Sequence, residues 1–359
     1  MKYYSLDKIL KYKAKYNIII SGRSDGKTYA VLKHILQNHV KTGKTGGIIR
    51  RFQDDFIGKR GQQMFSALVE NGEIEKATDG KYNSVYYRAS KWYLCTVVDG
   101  KMQECAETPF CYGFAITSQE HDKSTSYPTI TTILFDEFIT RSVYLPDEFV
   151  LFCNVLSTII RQRDDVTIFM CGNTISKYCP YFDEMGLKHM NELKQGTIDI
   201  YQYGDSGLTI AVEYPDIGRI FKKKSNVYFA FDNPKLSMIT GGQWEIEIYP
   251  HCPRKYRPCE IVFEFFIVFD SQTFHAEIVS GGQDIFVFVH PKTTELKNRE
   301  SDLIYDSALT TTAPNIRRSF ANPVDNLDRK ILQLYRTHRF FYSDNETGDA
   351  IKNFIASTV

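Results

Sequence analysis

The sequence predicts an α/β fold built on a mostly parallel sheet with an antiparallel insertion. Three observations predict it. Strand-like and helix-like segments alternate from residue 17 to residue 174. The apolar run Ile18-Ile19-Ile20 leads through the loop SGRSDGKT into a segment with helical apolar spacing. The β-branched run from Thr129 to Phe135 ends directly in two acids, Asp136 and Glu137.

The elements follow in order. Residues 1–16, rich in Lys and Tyr, read as a short helix or arm, and residues 17–20 as a strand. Ala30, Val31, Ile35 and Leu36 fall on one helical face within residues 27–40. Residues 46–52 form a second strand ending in Arg50-Arg51, and residues 56–71 read as a helix. Between residues 81 and 116, alternating runs flank Asp99-Gly100, a hairpin signal, and give the antiparallel insertion. A helix is expected over residues 147–162 and a buried strand over 166–171, closed by Gly172-Asn173-Thr174. Beyond residue 200 the texture changes. A linker or hairpin is expected over residues 201–228, including Lys222, Lys223 and Lys224. Strands are then expected over 261–270, 273–280 and 285–290, and helices near 301–309 and 326–338. The expected domains are thus 1–200, the region 201–228, and a second α/β domain over 229–359.

Composition narrows the function class. A chain of 359 residues with 43% hydrophobic and 24% charged residues can bury two cores. A net charge of +1 excludes a bulk polycation, so any nucleic-acid contact must come from local basic patches. Eight cysteines without a C-x-x-C pair suggest reduced thiols and no zinc knuckle. No apolar run approaches the roughly 18 residues of a membrane span, so a cytoplasmic protein without a membrane partner is expected.

Gly26-Lys27-Thr28 between a strand and a helix is the tail of a phosphate-binding loop. Loop and helix N–H groups from Gly22, Arg23, Ser24, Asp25 and Gly26 would cradle phosphates, Lys27 would reach the β/γ-phosphates, and Thr28 would ligate Mg²⁺. Asp136 would hold the same Mg²⁺, and Glu137 would polarise the attacking water. A glutamate directly after that aspartate points to the additional-strand (ASCE) class of P-loop NTPase, and hence to ATP as substrate. Asn173, closing the next strand, is either a γ-phosphate sensor or a plain turn residue. Motors of this class complete each site with a basic residue from a neighbour; Arg161, Arg163 and Lys123 are the candidates, against the alternative of solvated surface charges.

The loop's irregular start, with Ser21 where the usual pattern has glycine and Arg23 inside, resembles the deviant Walker A of viral DNA-packaging ATPases. Ile49-Arg50-Arg51-Phe52 and Phe135-Asp136-Glu137-Phe138 fit the same group, and the chain resembles the DNA-encapsidation ATPases of phi-29-like bacteriophages. The resemblance implies a homomeric ring, pentameric in that family, at the portal of a prohead in the host cytoplasm. It would pump double-stranded DNA inward, with packaging RNA as a further partner, and would not be expected in the mature virion. It also implies an RNase H-like C-terminal domain, expected here to be a vestigial nuclease. Asp270 sits at the end of an opening strand, and Asp302 and Asp306 would share one face of the expected helix. An active large terminase, a helicase-related ATPase and a nucleotide-gated DNA clamp stand as alternatives.

Overall fold

The computed structural model describes residues 3–121, 125–140, 144–174, 179–187, 190, 192–217, 248–270, 272–282, 284–296, 298–308 and 313–358. Lys123 and the run Lys222 to Lys224 lie outside them. The chain divides into two compact units, one containing residues 3–174 and 184–217, the other 179–183 and 248–358.

The first unit is organised by a ten-stranded sheet in the order β3-β4-β6-β2-β7-β8-β1-β10-β9, with β5 paired to β4. Its strands are β1 (Tyr16–Ser21), β2 (Thr45–Arg50), β3 (Ser84–Arg88), β4 (Lys91–Val98), β5 (Lys101–Cys105), β6 (Cys111–Ala115), β7 (Ile130–Asp136), β8 (Thr167–Asn173), β9 (Thr197–Tyr203) and β10 (Leu208–Tyr214). From β6 to β10 every neighbouring pair is parallel. One strand, β8, separates the strand leading into the phosphate loop from the acidic strand β7, which is the additional-strand arrangement. The predicted insertion is a ribbon of β3, β4 and β5 whose β4 joins β6 antiparallel, so it extends the main sheet. Asp99 and Gly100, both at positive φ (49° and 73°), turn the β4–β5 hairpin.

Strand alternation dictates where the helices pack. Leu134 and Phe169 are register partners on one face, and His34 of α1 (Lys27–Thr42) lies edge-on to Phe169 at 5.7 Å. The next residue, Phe135, points the other way and stacks on Phe152 of α5 (Glu148–Ile160) at 4.9 Å. The two helices therefore cover opposite faces, and the parallel strands are buried on both.

Three expectations change. The helix over residues 56–71 is broken into α2 (Lys59–Gln63) and α3 (Ser66–Glu70), with α4 (Glu73–Ala77) following. The side chain at its break, Phe65, turns inward onto Trp92 and Phe110. The first unit also continues past residue 200: β9 and β10 form a hairpin, and β10 runs parallel to β1 at the sheet's far side. Of the two readings for residues 201–228, linker or hairpin, residues 201–214 take the hairpin, turned by a 3-10 segment at Gly204–Ser206. The helix near 301–309 is instead β14 (Ile304–Asp306), parallel to β11 (Ile261–Phe269), because Leu303, Ile304 and Tyr305 are all buried.

The second unit is a six-stranded sheet in the order β15-β14-β11-β12-β13-β16. β11, β12 (Gln272–Gly281) and β13 (Asp284–Pro291) form an antiparallel meander. β14, β15 (Ile316–Arg317) and β16 (Phe340–Tyr342) run parallel to their neighbours. Phe265, Ile267, Ala276 and Val289 meet Ile331 of α7 (Asn326–Arg336, after the short α6 at Pro180–Glu184) and Ile351 and Phe354 of α8 (Asn345–Thr358) in one core. Asp325 caps α7 by accepting the Asp328 N–H at 2.9 Å.

Candidate nucleotide site

The loop after β1 has the backbone that a phosphate cradle needs. Ser24 (φ 59°) and Gly26 (φ 90°) are left-handed, and no side chain caps the start of α1, whose N-terminus faces the loop. Gly26 has a φ that suits glycine, and a Cβ there would crowd the Tyr3 side chain at 3.3 Å. The N-terminal arm holds the loop from outside. Tyr4 N–H donates to the Asp25 carbonyl at 3.0 Å, and its hydroxyl donates to the buried Glu213 at 2.6 Å. Burial pushes the Glu213 carboxyl above its ordinary range.

Lys27 is buried and its Nζ donates to Ser21 O and Oγ (both 3.1 Å), Gly22 O (2.8 Å) and Asn173 Oδ1 (3.1 Å). These contacts place Asn173 inside the site, because β8 lies beside β1 with Ser21 and Asn173 in register. The Thr28 hydroxyl donates to Asp136 Oδ1 at 2.7 Å, although 108 residues separate them. Hydroxyl and carboxylate oxygens are the hard donors Mg²⁺ prefers, so Thr28 and Asp136 fit that ion.

Two arginines close the site, and sequence reasoning gave neither a role of its own. Successive residues at a strand end diverge to opposite faces, and Arg50 and Arg51 do so. Arg50 Nη2 donates to Asp136 Oδ2 at 2.5 Å and Nη1 to Glu137 Oε2 at 2.8 Å. Burial works against its charge, but Asp136, Glu137 and Asp55 outweigh burial and hold its pKa above the ordinary arginine value. Arg51 makes a buried bidentate pair with Glu148 (both bonds 2.8 Å) and donates to Phe138 O at 2.9 Å. It thereby ties the acidic turn to the start of α5. The turn itself is strained: Glu137 sits at φ 60°, its N–H donating to Cys171 O at 2.9 Å. A cavity of about 310 Å³ opens beside these groups, lined in part by Arg23, Arg50, Asp136, Glu137 and Asn173.

The structure does not bring Arg161 or Arg163 to this cavity. Arg163 lies at the opposite end of β7, donating to Ile130 O (2.7 Å), Tyr127 O and Pro128 O (both 3.2 Å) and to Asp165 (2.9 Å). Arg161 donates to Thr125 O at 3.2 Å.

A strand-loop-helix cradle, an acid on a second strand and one strand between them define a P-loop nucleotide-binding fold of the additional-strand class. Within that class, the chain belongs to the Podovirus DNA encapsidation protein (Gp16) family, whose profile matches residues 1–202. The DNA packaging protein of Bacillus phage B103 is 28% identical over 200 residues, covering 54% of this chain and 56% of the relative. That of Bacillus phage phi29 is 27% identical over 183 residues, 50% of this chain and 49% of the relative. The chain therefore spans about half the length of the curated relatives it matches. A chain of the bacteriophage Phi-29 viral genome packaging motor assembly superimposes with a TM-score of 0.57 at 17% identity, covering 100% of both. The Phi-28 DNA packaging motor gives 0.56 at 14% identity, covering 99% of this chain and 98% of that one. At these identities the likeness speaks for the fold.

Proposed function

We propose that this chain is the ATPase of a viral double-stranded DNA packaging motor, coupling ATP hydrolysis to DNA translocation into a prohead. The observation that carries this reading is the Thr28–Asp136 contact beside Lys27. It joins a phosphate loop to an acidic strand in a chain of the encapsidation family. Lys27 and the start of α1 bind and orient the β/γ-phosphates, Arg23 meets phosphate at the cavity wall, and Asn173 reports on the γ-phosphate. Glu137 takes the proton of the attacking water and Asp136 with Thr28 holds the metal. Bound Mg²⁺ supplies charge neutralisation on the phosphate oxygens.

What supports the RNase H-like reading of the second unit is its order, a three-strand meander with β14 and β15 added parallel on the side of its first strand and β16 on the side of its third. Asp270 follows β11 and Asp306 ends the parallel β14 beside it, but Asp306 accepts the Ala308 N–H at 3.0 Å and Asp302 precedes the strand. A non-cutting domain that contacts portal, packaging RNA or DNA is the reading adopted. A homomeric ring, pentameric by resemblance, working in the host cytoplasm during assembly completes the proposal. Arg161 and Lys123 remain its candidates for action across subunits. Basic groups of the second unit are partly committed: Arg254 pairs with Glu260 at 2.7 Å and Arg317 with Asp325 at 2.7 Å. DNA contact is then a salt-dependent grip on phosphates by other lysines and arginines.

The test is ATP-dependent protection of DNA from nuclease in purified proheads. Wild type should protect it and Lys27→Ala should not; packaging that survives the Lys27 change removes the mechanism.

A further inference from the structure

His275 and Glu277, two apart on β12, leave the face of the second sheet opposite to the core residues Phe274, Ala276 and Ile278. Register sets His290 of β13 beside His275, and Glu264 of β11 beside Glu277. One donor atom each from His275, Glu277 and His290 lies within 4.8 Å of the others. The individual groups point to a ligand independently. His275 Nε2 is buried with no hydrogen-bond partner among the described residues. The nearest acid, Glu264 Oε1, is 3.8 Å away, beyond hydrogen-bond range. Leaving such a nitrogen unsatisfied is costly, yet Phe266 stacks on the ring at 4.8 Å and fixes it there.

The flanking contacts are those of prepared metal ligands. Glu277 Oε2 accepts a hydrogen bond from the Tyr256 hydroxyl, which leaves Oε1 to coordinate. His290 Nδ1 lies 3.2 Å from Pro291 O; as donor there, it leaves the Nε2 lone pair available.

We propose that His275, Glu277 and His290 form a binding site for a divalent transition-metal ion of the Zn²⁺ class, with Tyr256 as the residue that orients Glu277. Two imidazoles and one carboxylate suit Zn²⁺, which takes nitrogen readily, and do not suit Mg²⁺, which takes oxygen. Metal–donor bonds of about 2.0–2.2 Å put tetrahedral ligands about 3.4 Å apart, so the donors need close by little more than about 1 Å. Glu264 is positioned to take a fourth place, or water fills it. Burial holds the His275 imidazole below its ordinary pKa, although Glu277 pulls it the other way. A bound ion joins β12 to β13 and, through Tyr256, to the segment that precedes β11. The site belongs to the second unit and selects a different cation from the Mg²⁺ of the phosphate loop.

The test uses the full chain, stripped with chelator, and isothermal titration with Zn²⁺ and with Mg²⁺. Wild type should bind one Zn²⁺ that Mg²⁺ does not displace. His290→Ala and Glu277→Gln should each weaken it at least tenfold, and Tyr256→Phe, which keeps all three ligands, about tenfold. Circular dichroism identifies any variant that fails to fold, and Tyr256→Phe then carries the comparison. Co²⁺ should give visible d–d absorption without a thiolate charge-transfer band. Such a band would move the ion to cysteine and overturn the assignment. So would wild type without Zn²⁺ binding, or equal affinity across the folded variants.

Discussion

Arg50 Nη1 lies 2.8 Å from Glu137 Oε2, so the carboxylate assigned to activate water is held by a cation from the neighbouring strand. The same guanidinium also reaches Asp136, which places one arginine on both acids. The ion pair fixes where the carboxylate points, and a base must reach its water within hydrogen-bond distance, so the contact restrains Glu137. Arg50→Ala should therefore raise hydrolysis measured without DNA or proheads while lowering packaging, and Arg50→Lys should fall between. Phosphate release with and without DNA measures this. If Arg50→Ala lost basal hydrolysis as fully as Glu137→Gln, the arginine would belong to the catalytic machinery instead.

The neighbouring Arg51 has a structural task. Its bidentate pair with Glu148 is buried on both sides, at 7% and 1% side-chain exposure. Removing one member strands the other charge, which costs about 3–5 kcal/mol. Arg51→Ala should lower the denaturation midpoint sharply, whereas Arg51→Met with Glu148→Leu should recover most of the loss. Urea unfolding of the three proteins checks both points; a single variant as stable as the double would show that the pair contributes little.

Much of the site was legible because the residues that carry it punctuate strongly patterned elements. Ile18 to Ile20 and Thr129 to Phe135 are apolar runs whose exits name their chemistry, and strand pairing brings Ser21 and Asn173 level with one another. What was not legible depends on long-range register. Nothing local to Tyr4 announces Glu213, 209 residues away, and nothing in Arg50-Arg51 says which arginine faces the acids. The 301–309 segment failed for a related reason. Its spaced aspartates suit a helix, but Leu303, Ile304 and Tyr305 gain more by pairing with β11 and filling the core. The broken 56–71 helix shows tertiary packing overriding propensity at Phe65.

Arg163 invites a test that separates anchoring from action on a neighbour. Its guanidinium binds carbonyls at the start of β7, far along the strand from Asp136. Charged hydrogen bonds of this kind contribute about 1.5–3 kcal/mol when lost. Arg163→Ala should lower the melting temperature of the isolated chain by several degrees, and mixing it with Lys27→Ala subunits should restore no ATPase activity. Unchanged melting together with rescue in the mixture would assign Arg163 to the neighbouring subunit's site.

His34 makes stability depend on pH. Its ring packs against Phe169 under α1, and burial lowers its pKa from the usual histidine value. The folded protein thus resists protonation, while the unfolded chain takes up a proton near pH 6.5. Above that value the group has no effect. As pH falls below it, the unfolded state binds more protons than the folded one, and stability declines until the folded-state pKa is reached. His39 is shifted in the same direction by burial, so the decline should be steeper than one group gives. Melting curves at pH 7.5, 6.5 and 5.5 should show a falling midpoint, and His34→Gln should flatten part of that fall. A variant that loses as much as wild type between pH 7.5 and 5.5 would mean that the ring is protonated in place and that Phe169 tolerates the charge.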